Sequence, residues 1–459
     1  MSTMSLTDCR GLNITAPNAT VIERFDGLLD DIYYYRLGVG DRMDALLEEH
    51  PDFTLANVLK GYSLMSEGSF RLQPTARGFL ERADALPANP REALHREALR
   101  GWIDGDLERR AAALEQILLA WPLDLLAYRQ HTGTLFWTGA KAHQAEVSMG
   151  VASHWSKEVP GYAHFLSSHG FSLEEVGLYE VAERCSRAAL AINPQDLWAL
   201  HGVSHVLEMQ GRHVEGVELL TEARQFLNKY NLFRGHLWWH LSLFLFSQGR
   251  FDEALVLFDT EIYPKSSTFY LDVQNGVSLL ARLEFQGVDV GLERWQRLGE
   301  AATKSAADCT LWFTAMHYVM AQARNGDRAR LQSTYAFLAE SGKTSSQALL
   351  ALELSKAAVD FCEGKPQESL AQMLALRQRH NQLGASHAQQ DLYDQIMVTA
   401  AMQLGDLPRV RQLLKARLAT RVWDSTSWQA LEQRSRKIDE HADEPDSSAM
   451  VRSALRWSL

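Results

Sequence analysis

The chain has 459 residues and lacks most features that tie a sequence to a familiar class. Its four cysteines, Cys9, Cys185, Cys309 and Cys362, lie far apart and form no CxxC pair. That argues against a thiolate zinc site and a disulfide framework, and points to a reducing, cytoplasmic setting. No apolar run reaches the roughly eighteen residues a membrane span needs. The richest run, Leu237 to Phe246, is short and interrupted by His240 and Ser242, so it reads as a packed helix. Residues Met1 to Ala16 carry Asp8 and Arg10 without an apolar stretch, so no secretory leader is expected. Positive charge is in deficit, with 46 Lys and Arg against 57 Asp and Glu and a net charge of −11. Without a long basic run, neither a nucleic-acid partner nor an anionic membrane held by counterion release is expected. There is no GxGxxG following a strand, no GxxxxGK[ST], no GxSxG, and no strand pattern of comparable quality to the helical one. Apolar residues at 46% and charged residues at 22% are ordinary for a folded protein and exclude a disordered or collagen-like chain.

What the sequence does have is a period. Glycines recur at Gly68, Gly105, Gly139, Gly177, Gly211, Gly249, Gly287, Gly326, Gly364 and Gly405, at intervals of 37, 34, 38, 34, 38, 38, 39, 38 and 41 residues. Each follows one segment of helical apolar period and precedes another, where a left-handed residue can end the first helix. Pro122 and Pro194 each stand 17 residues after their glycine, where the second helix must stop. Thr20 to Leu37 and Asp41 to Glu49 read as one more hairpin, ending at Pro51, and Pro408 to Arg421 completes the last.

Gly177-Leu-Tyr-Glu-Val-Ala-Glu-Arg-Cys-Ser-Arg-Ala-Ala-Leu-Ala-Ile-Asn-Pro, with small Ala182 and Ala189 and the closing Asn193-Pro194, resembles a tetratricopeptide repeat. The phrases Asn193-Pro-Gln-Asp-Leu-Trp-Ala-Leu-His-Gly-Val-Ser-His-Val-Leu-Glu and His236-Leu-Trp-Trp-His, with Gly384 to Gln395, narrow this to the tetratricopeptide repeat protein 38 family. The similarity runs from about Phe25 to about Leu414 and is most specific in the middle. It implies an all-α, right-handed superhelical solenoid of about ten to eleven antiparallel helix–turn–helix repeats, and little chemistry. The expected organisation is an arm over residues 1–16, the solenoid over 17–427, and a capping helix with a polar tail over 428–459.

The chemistry-bearing stretch is Trp198 to Phe251. His201 and His205 are four apart, as are His236 and His240, so each pair shares one helix face. With Glu208 they occupy offsets from their turn glycines that fall in a sector about 120° wide. In the resembled family, first helices line the concave side, and this sector faces inward. Glu174 and Glu284 repeat the offset of Glu208, His317 that of His240, and His164 that of His236. Packed helices lie about 8 to 10 Å apart, so imidazoles from consecutive first helices can converge on one divalent transition metal: zinc, iron, manganese or copper. His201-Gly-Val-Ser-His205 has the histidine spacing of HExxH without its glutamate. Should catalysis occur, Glu174 or Glu208 would be the proton acceptor. Trp239 and His317 complete the expected ligand wall, although the tryptophans also suit core packing and a lone inward histidine suits a hydrogen-bonded structural role. His213, just past its glycine, is expected to face solvent. Asp391 and Gln395, after His387, would approach the groove only if the array curls.

Three functions follow from these residues. One is a concave pocket for a small polar ligand, with or without metal. Another is a scaffold recognising a peptide or partner helix along the groove. In the third, the histidines only satisfy polar groups between helices.

Overall fold

The computed structural model describes residues 6–227, 229–230 and 233–420, the side chains of 418–420 excepted. It is built from helices: α1 (Ala19–Tyr33), α2 (Val39–Glu49), α3 (Thr54–Ser66), α4 (Gln73–Asp84), α5 (Pro90–Ile103), α6 (Leu107–Ala120), α7 (Leu125–Trp137) and α8 (Lys141–Ala152). There follow α9 (Tyr162–Glu174), α10 (Tyr179–Ile192), α11 (Leu197–Met209), α12 (His213–Leu227), α13 (Phe233–Ser247), α14 (Phe251–Leu257), α15 (Tyr270–Phe285) and α16 (Leu292–Ser305). The last are α17 (Trp312–Arg324), α18 (Arg328–Ser341), α19 (Ser346–Cys362), α20 (Pro366–Leu376), α21 (His387–Gln403) and α22 (Leu407–Thr420). Among the described residues the only strand-like pairings are isolated bridges, Thr7 with Asn13 and Arg36 with Tyr230. No helix among them is long and apolar enough to cross a membrane. The expected capping helix and tail over 428–459 lie outside the described residues.

The glycine period is written in backbone angles. All ten predicted turn glycines have φ between 69° and 80°, the left-handed region. At Gly177 an added Cβ would meet nothing within 4 Å, so conformation and not space requires the glycine. Gly177 N–H donates to Glu174 O at 2.8 Å, and Leu178 N–H reaches back to Leu173 O at 3.0 Å, which satisfies the last carbonyls of α9. Arg250 to Leu245 (2.9 Å) and Asp327 to Gln322 (3.1 Å) repeat that closure.

Helices before and after the turns differ in burial. In α10 only Ala182, Ser186 and Ala189 are buried, as expected of a helix with one packed face. In α9, by contrast, every residue from Ala163 to Glu174 is buried, and in α13 every residue from Gly235 to Phe246. Small residues allow the close approach: a Cβ on Gly170 or on Gly202 would lie 2.5 or 2.6 Å from Ser186 Oγ.

The chain forms two compact units, Met1–Val206 with Ala223–Arg234, and Leu207–Glu222 with Gly235–Leu459. In the first, neighbouring helix hairpins pack in order, and the N-terminal hairpin also returns to α9, where Asp30 Oδ1 meets His164 Nε2 at 3.0 Å across 134 residues of sequence. In the second, α15 packs on α17 and also on α21, where Arg282 donates to Ala388 O at 2.8 Å across 106 residues. Within each unit, therefore, inner faces of first helices are covered by a hairpin distant in sequence. That accounts for helices buried all round, where the sequence suggested an open groove. Residues 6–16 dock on the start of α5: Thr15 N–H donates to Glu92 Oε1 (2.7 Å), Arg91 Nη2 donates to Asn13 O (2.8 Å), and Ile14 is buried.

Candidate functional site

In the first unit the site begins with a cap. Asp196 Oδ1 accepts from the N–H groups of Trp198 (2.9 Å) and Ala199 (3.0 Å), which starts α11 after Asn193-Pro194 and fixes its register. That register sets His201 and His205 one turn apart with ring centroids 4.4 Å apart at 78°. Their Nε2 atoms face each other at 2.9 Å. His205 Nδ1, on the other side of its ring, faces Oε2 of Glu174 at 3.5 Å. Glu174 is the last residue of α9, and both groups are fully buried. Phe171 orients the two imidazoles, stacked on His201 (5.1 Å, 27°) and edge-on to His205 (5.2 Å, 88°). Trp198 and Phe233 close the other sides of His201 at 4.9 and 5.4 Å. Glu175, paired with Lys141 at 2.5 Å, lies beside Glu174, and the ligand atoms of Glu174, Glu175 and His205 fall within 4.8 Å of one another.

The second unit repeats the arrangement. His236 and His240 on α13 have centroids 4.8 Å apart at 77°. His236 Nδ1 meets Asn275 Oδ1 on α15 at 3.0 Å, and His240 Nδ1 faces Glu208 Oε2 at 3.5 Å. Trp239 stacks on His236 (5.0 Å, 13°) and meets His240 edge-on (4.9 Å, 71°), so the indole is a packing surface for both rings. Burial, reinforced by His240 and opposed by Asn275, pushes His236 down to about 3, so its ring is neutral near pH 7.

Glu208 also lines a cavity of about 20 Å³ with Leu243, Arg282, Asp391, Gln395 and Arg417. That is the volume one water needs. Asp391 is held by Arg417 (2.7 and 3.3 Å) and by Gln395 (2.6 Å). The last hairpin therefore does approach Glu208, the contact that depended on the array curling.

Other sequence-predicted residues go elsewhere. His164 pairs with Asp30 and lies 4.1 Å from the Tyr34 ring. His317 is buried against Phe313 (5.2 Å), and burial, then the charge of Arg282, push it down to about 3. Two expectations need correction. Glu284 shares the offset of Glu208 but accepts from Trp295 Nε1 (2.9 Å) and pairs with Arg324, because the second helix of its own hairpin supplies an indole there and the next hairpin a cation. His213 does not face solvent: it opens α12, is only 7% exposed, and its ring packs 6.1 Å from Phe244. Phe171, Glu175 and Asn275 were not singled out from sequence; Asn275 alone carries a usable signal, an amide inside a helix buried all round.

A nitrogen-rich donor set with a carboxylate behind the ring is the chemistry of zinc, copper, iron and nickel sites. No family model matches the chain. It is similar to the solved structure of the human IFIT1 dimer with m7Gppp-AAAA, at 13% identity and a TM-score of 0.42 over 97% of this chain and 96% of that one. It is also similar to the P58(IPK) TPR domain, at 12% identity and a TM-score of 0.23 over 78% of this chain and 100% of that one. At these values neither likeness carries an argument beyond the helical-repeat architecture already described.

Proposed function

We propose that this chain is a cytoplasmic, metal-binding member of the tetratricopeptide repeat protein 38 family, with His201, His205, His236 and His240 as ligands for a divalent transition metal. The observation that carries the reading is the recurrence of one geometry. Twice, an HxxxH pair sets its rings 4.4 to 4.8 Å apart at nearly the same angle, and the second histidine of each pair has a buried carboxylate 3.5 Å behind Nδ1. A structural histidine needs hydrogen-bond partners; it does not need a second imidazole nitrogen at 2.9 Å. The family assignment rests on the motifs around Asn193 to Glu208 and His236 to His240. The four free cysteines fit a reducing compartment. A small polar molecule is the ligand class suited to such a centre. Recognition of a long peptide along the first helices is less suited, because in α9 and α13 those helices are buried on all sides.

The test is elemental analysis of untagged protein after exposure to zinc, copper, iron and manganese salts, with His205→Ala and His240→Ala variants alongside. Near-stoichiometric metal in the wild type, lost from folded variants, is the expected result. A wild-type protein that retains none of the four metals overturns the reading.

A further inference from the structure

We propose that the loop joining α1 to α2, residues 34–38, is a gate over the His201 side of the site, with the Tyr35 ring as its moving part. The metal reading above supplies only what passes the gate; the gate itself rests on the geometry of the loop. Every residue it uses belongs to the first unit.

Burial shows which way solvent lies. Of the rings that enclose His201, His205 is 0% and Phe171 2% exposed, whereas Trp198 and Phe233 are half-buried. The way out from His201 therefore runs past Trp198 and Phe233, and Tyr35 covers both. Its ring stacks on Phe233 at 4.3 Å and 15°, and on Trp198 at 6.3 Å and 23°. Trp198 is fixed: it stands in the first turn of α11, where Asp196 caps its N–H, and the Arg129 guanidinium lies 4.8 Å from its ring. Phe233 begins α13, whereas Tyr35 belongs to no helix. Of the three rings over His201, Tyr35 is the one whose backbone is held by no helix.

The backbone of the loop supplies a spring. Tyr35 has a φ of +55°, and among the described residues only Ala385 is another non-glycine with a positive value. A side chain in the left-handed region is strained and persists there only where its surroundings hold it. Two contacts hold Tyr35. One is the stack on Phe233; the other is made by the next residue, since Arg36 forms an antiparallel bridge with Tyr230 and its guanidinium lies 5.9 Å from the Tyr230 ring. Aromatic stacking and backbone strain of this kind are similar in size and opposite in sign. The covering position is thus the strained one, and a return of Tyr35 to negative φ lifts its ring from Phe233 while relaxing the chain. Both ends of the loop stay in place. The Tyr34 ring lies 4.1 Å from that of His164, and Gly38 starts α2 with a φ of 71°. Arg36 and Leu37 between them are exposed, so their movement gives up little buried surface.

The experiment reads access to His201 with diethyl pyrocarbonate, which acylates imidazole nitrogen, followed by fragment-resolved peptide mass spectrometry on the full-length, metal-free protein. Two variants act in opposite directions, with circular dichroism to establish folding. Tyr35→Gly removes the covering ring and suits a left-handed backbone. Arg36→Cys combined with Tyr230→Cys puts two thiols at a bridged antiparallel pair, a separation that a disulfide spans, so oxidation latches the loop and reduction releases it. A minor open state of roughly 0.1 to 10% limits the wild type, so Tyr35→Gly should speed modification of His201 by about tenfold or more. Oxidation of the double variant should slow it relative to the reduced form, and zinc uptake followed by stopped flow should rank the same way. His95, buried on α5 of the same unit with other partners, should keep its rate throughout. An unchanged His201 rate in Tyr35→Gly, or between the oxidised and reduced latch, overturns the proposal. So does an equal change at His95, which would report loosening of the whole unit, and so does zinc uptake at a rate indifferent to the latch. Modification of His201 that follows the latch in a protein that takes up no zinc would sink the metal reading and leave the gate standing.

Discussion

Two buried histidines of the first unit, His95 on α5 and His205 on α11, differ in what closes their rings. His95 Nε2 meets Asp124 Oδ2 at 3.1 Å and its Nδ1 faces Tyr62 Oη at 3.4 Å. Asp124 is engaged further, accepting from Arg91 Nη1 (2.7 Å) and capping α7 through Ala127 N–H (2.8 Å). Burial would raise the Asp124 carboxyl, but His95 and Arg91 outweigh it and hold the group well below the usual carboxylate range. Both nitrogens of His95 thus meet oxygen atoms, and the cluster ties α5, α7 and the docked arm together. His205 has a carboxylate behind one nitrogen and a second imidazole nitrogen in front of the other. Two facing Nε2 atoms share at most one proton comfortably, whereas a metal ion accepts both lone pairs. Burial is common to the two sites; the partner of the second nitrogen is what sets the structural histidine apart from the one proposed as a ligand.

The largest effect expected from this contrast is on the structural side. Asp124→Asn leaves Arg91 and His95 buried beside a neutral amide and should destabilise the protein by about 3 to 5 kcal/mol, read as a lower denaturant midpoint. Zinc stoichiometry should not change. A variant that keeps its stability but loses metal would erase the distinction. The acid limb carries the same signature. Asp124 has a folded value below its unfolded one, so its stabilisation is complete above about pH 4 and is lost as pH falls through the carboxylate range.

The reverse pattern is expected at the other site. His205→Ala should cost the metal-free protein about 1 to 3 kcal/mol, because the Glu174 carboxylate stays buried without the imidazole that faces it. The clearer readout is thermal: zinc should raise the melting temperature of the wild type in proportion to the logarithm of its concentration and leave that of His205→Ala unmoved. Equal stabilisation of the two by zinc would move ligation away from this pair.

The hairpins were legible in the sequence because a left-handed turn writes itself as glycine, and every one of the ten periodic glycines has positive φ. Even the main departure has a local cause: α1 was read to Leu37 but ends at Tyr33, because Tyr35 adopts a φ of +55° and breaks the helix. The HxxxH pairs were legible because four residues make one helical turn. What covers the first helices was not, since the contact from Asp30 to His164 on α9 spans 134 residues and leaves no local trace. Nor could an offset distinguish Glu174, which faces His205 on the next hairpin, from Glu284, which meets Trp295 of its own hairpin and Arg324 of the next. His213 was misread because a position beside a turn glycine says nothing of the Phe244 ring that lies across from it.

The smallest expected effect comes from a third histidine of the first unit, one that neither site uses. His131 on α7 is fully buried, and neither of its ring nitrogens has a hydrogen-bond partner among the described residues; its nearest ring is His143, edge-on at 5.8 Å. Burial, then His143 and Arg110, push it down to about 3, so it is neutral in the folded protein at pH values where the unfolded chain binds a proton. The sign follows: between about pH 6.5 and 3 the unfolded state holds more protons, and this one group lowers stability by about 1.4 kcal/mol per pH unit as pH falls. His131→Leu replaces a polar ring without partners by an apolar side chain, so at pH 7 it should be neutral or stabilising by no more than about 1 kcal/mol. Its decisive effect is on the slope of stability against pH, which should fall by about one proton between pH 6 and 4, measured by denaturant titration at several pH values. An unchanged slope would mean that His131 is protonated in the folded state, which requires a partner for its ring and would move it into the class of His95.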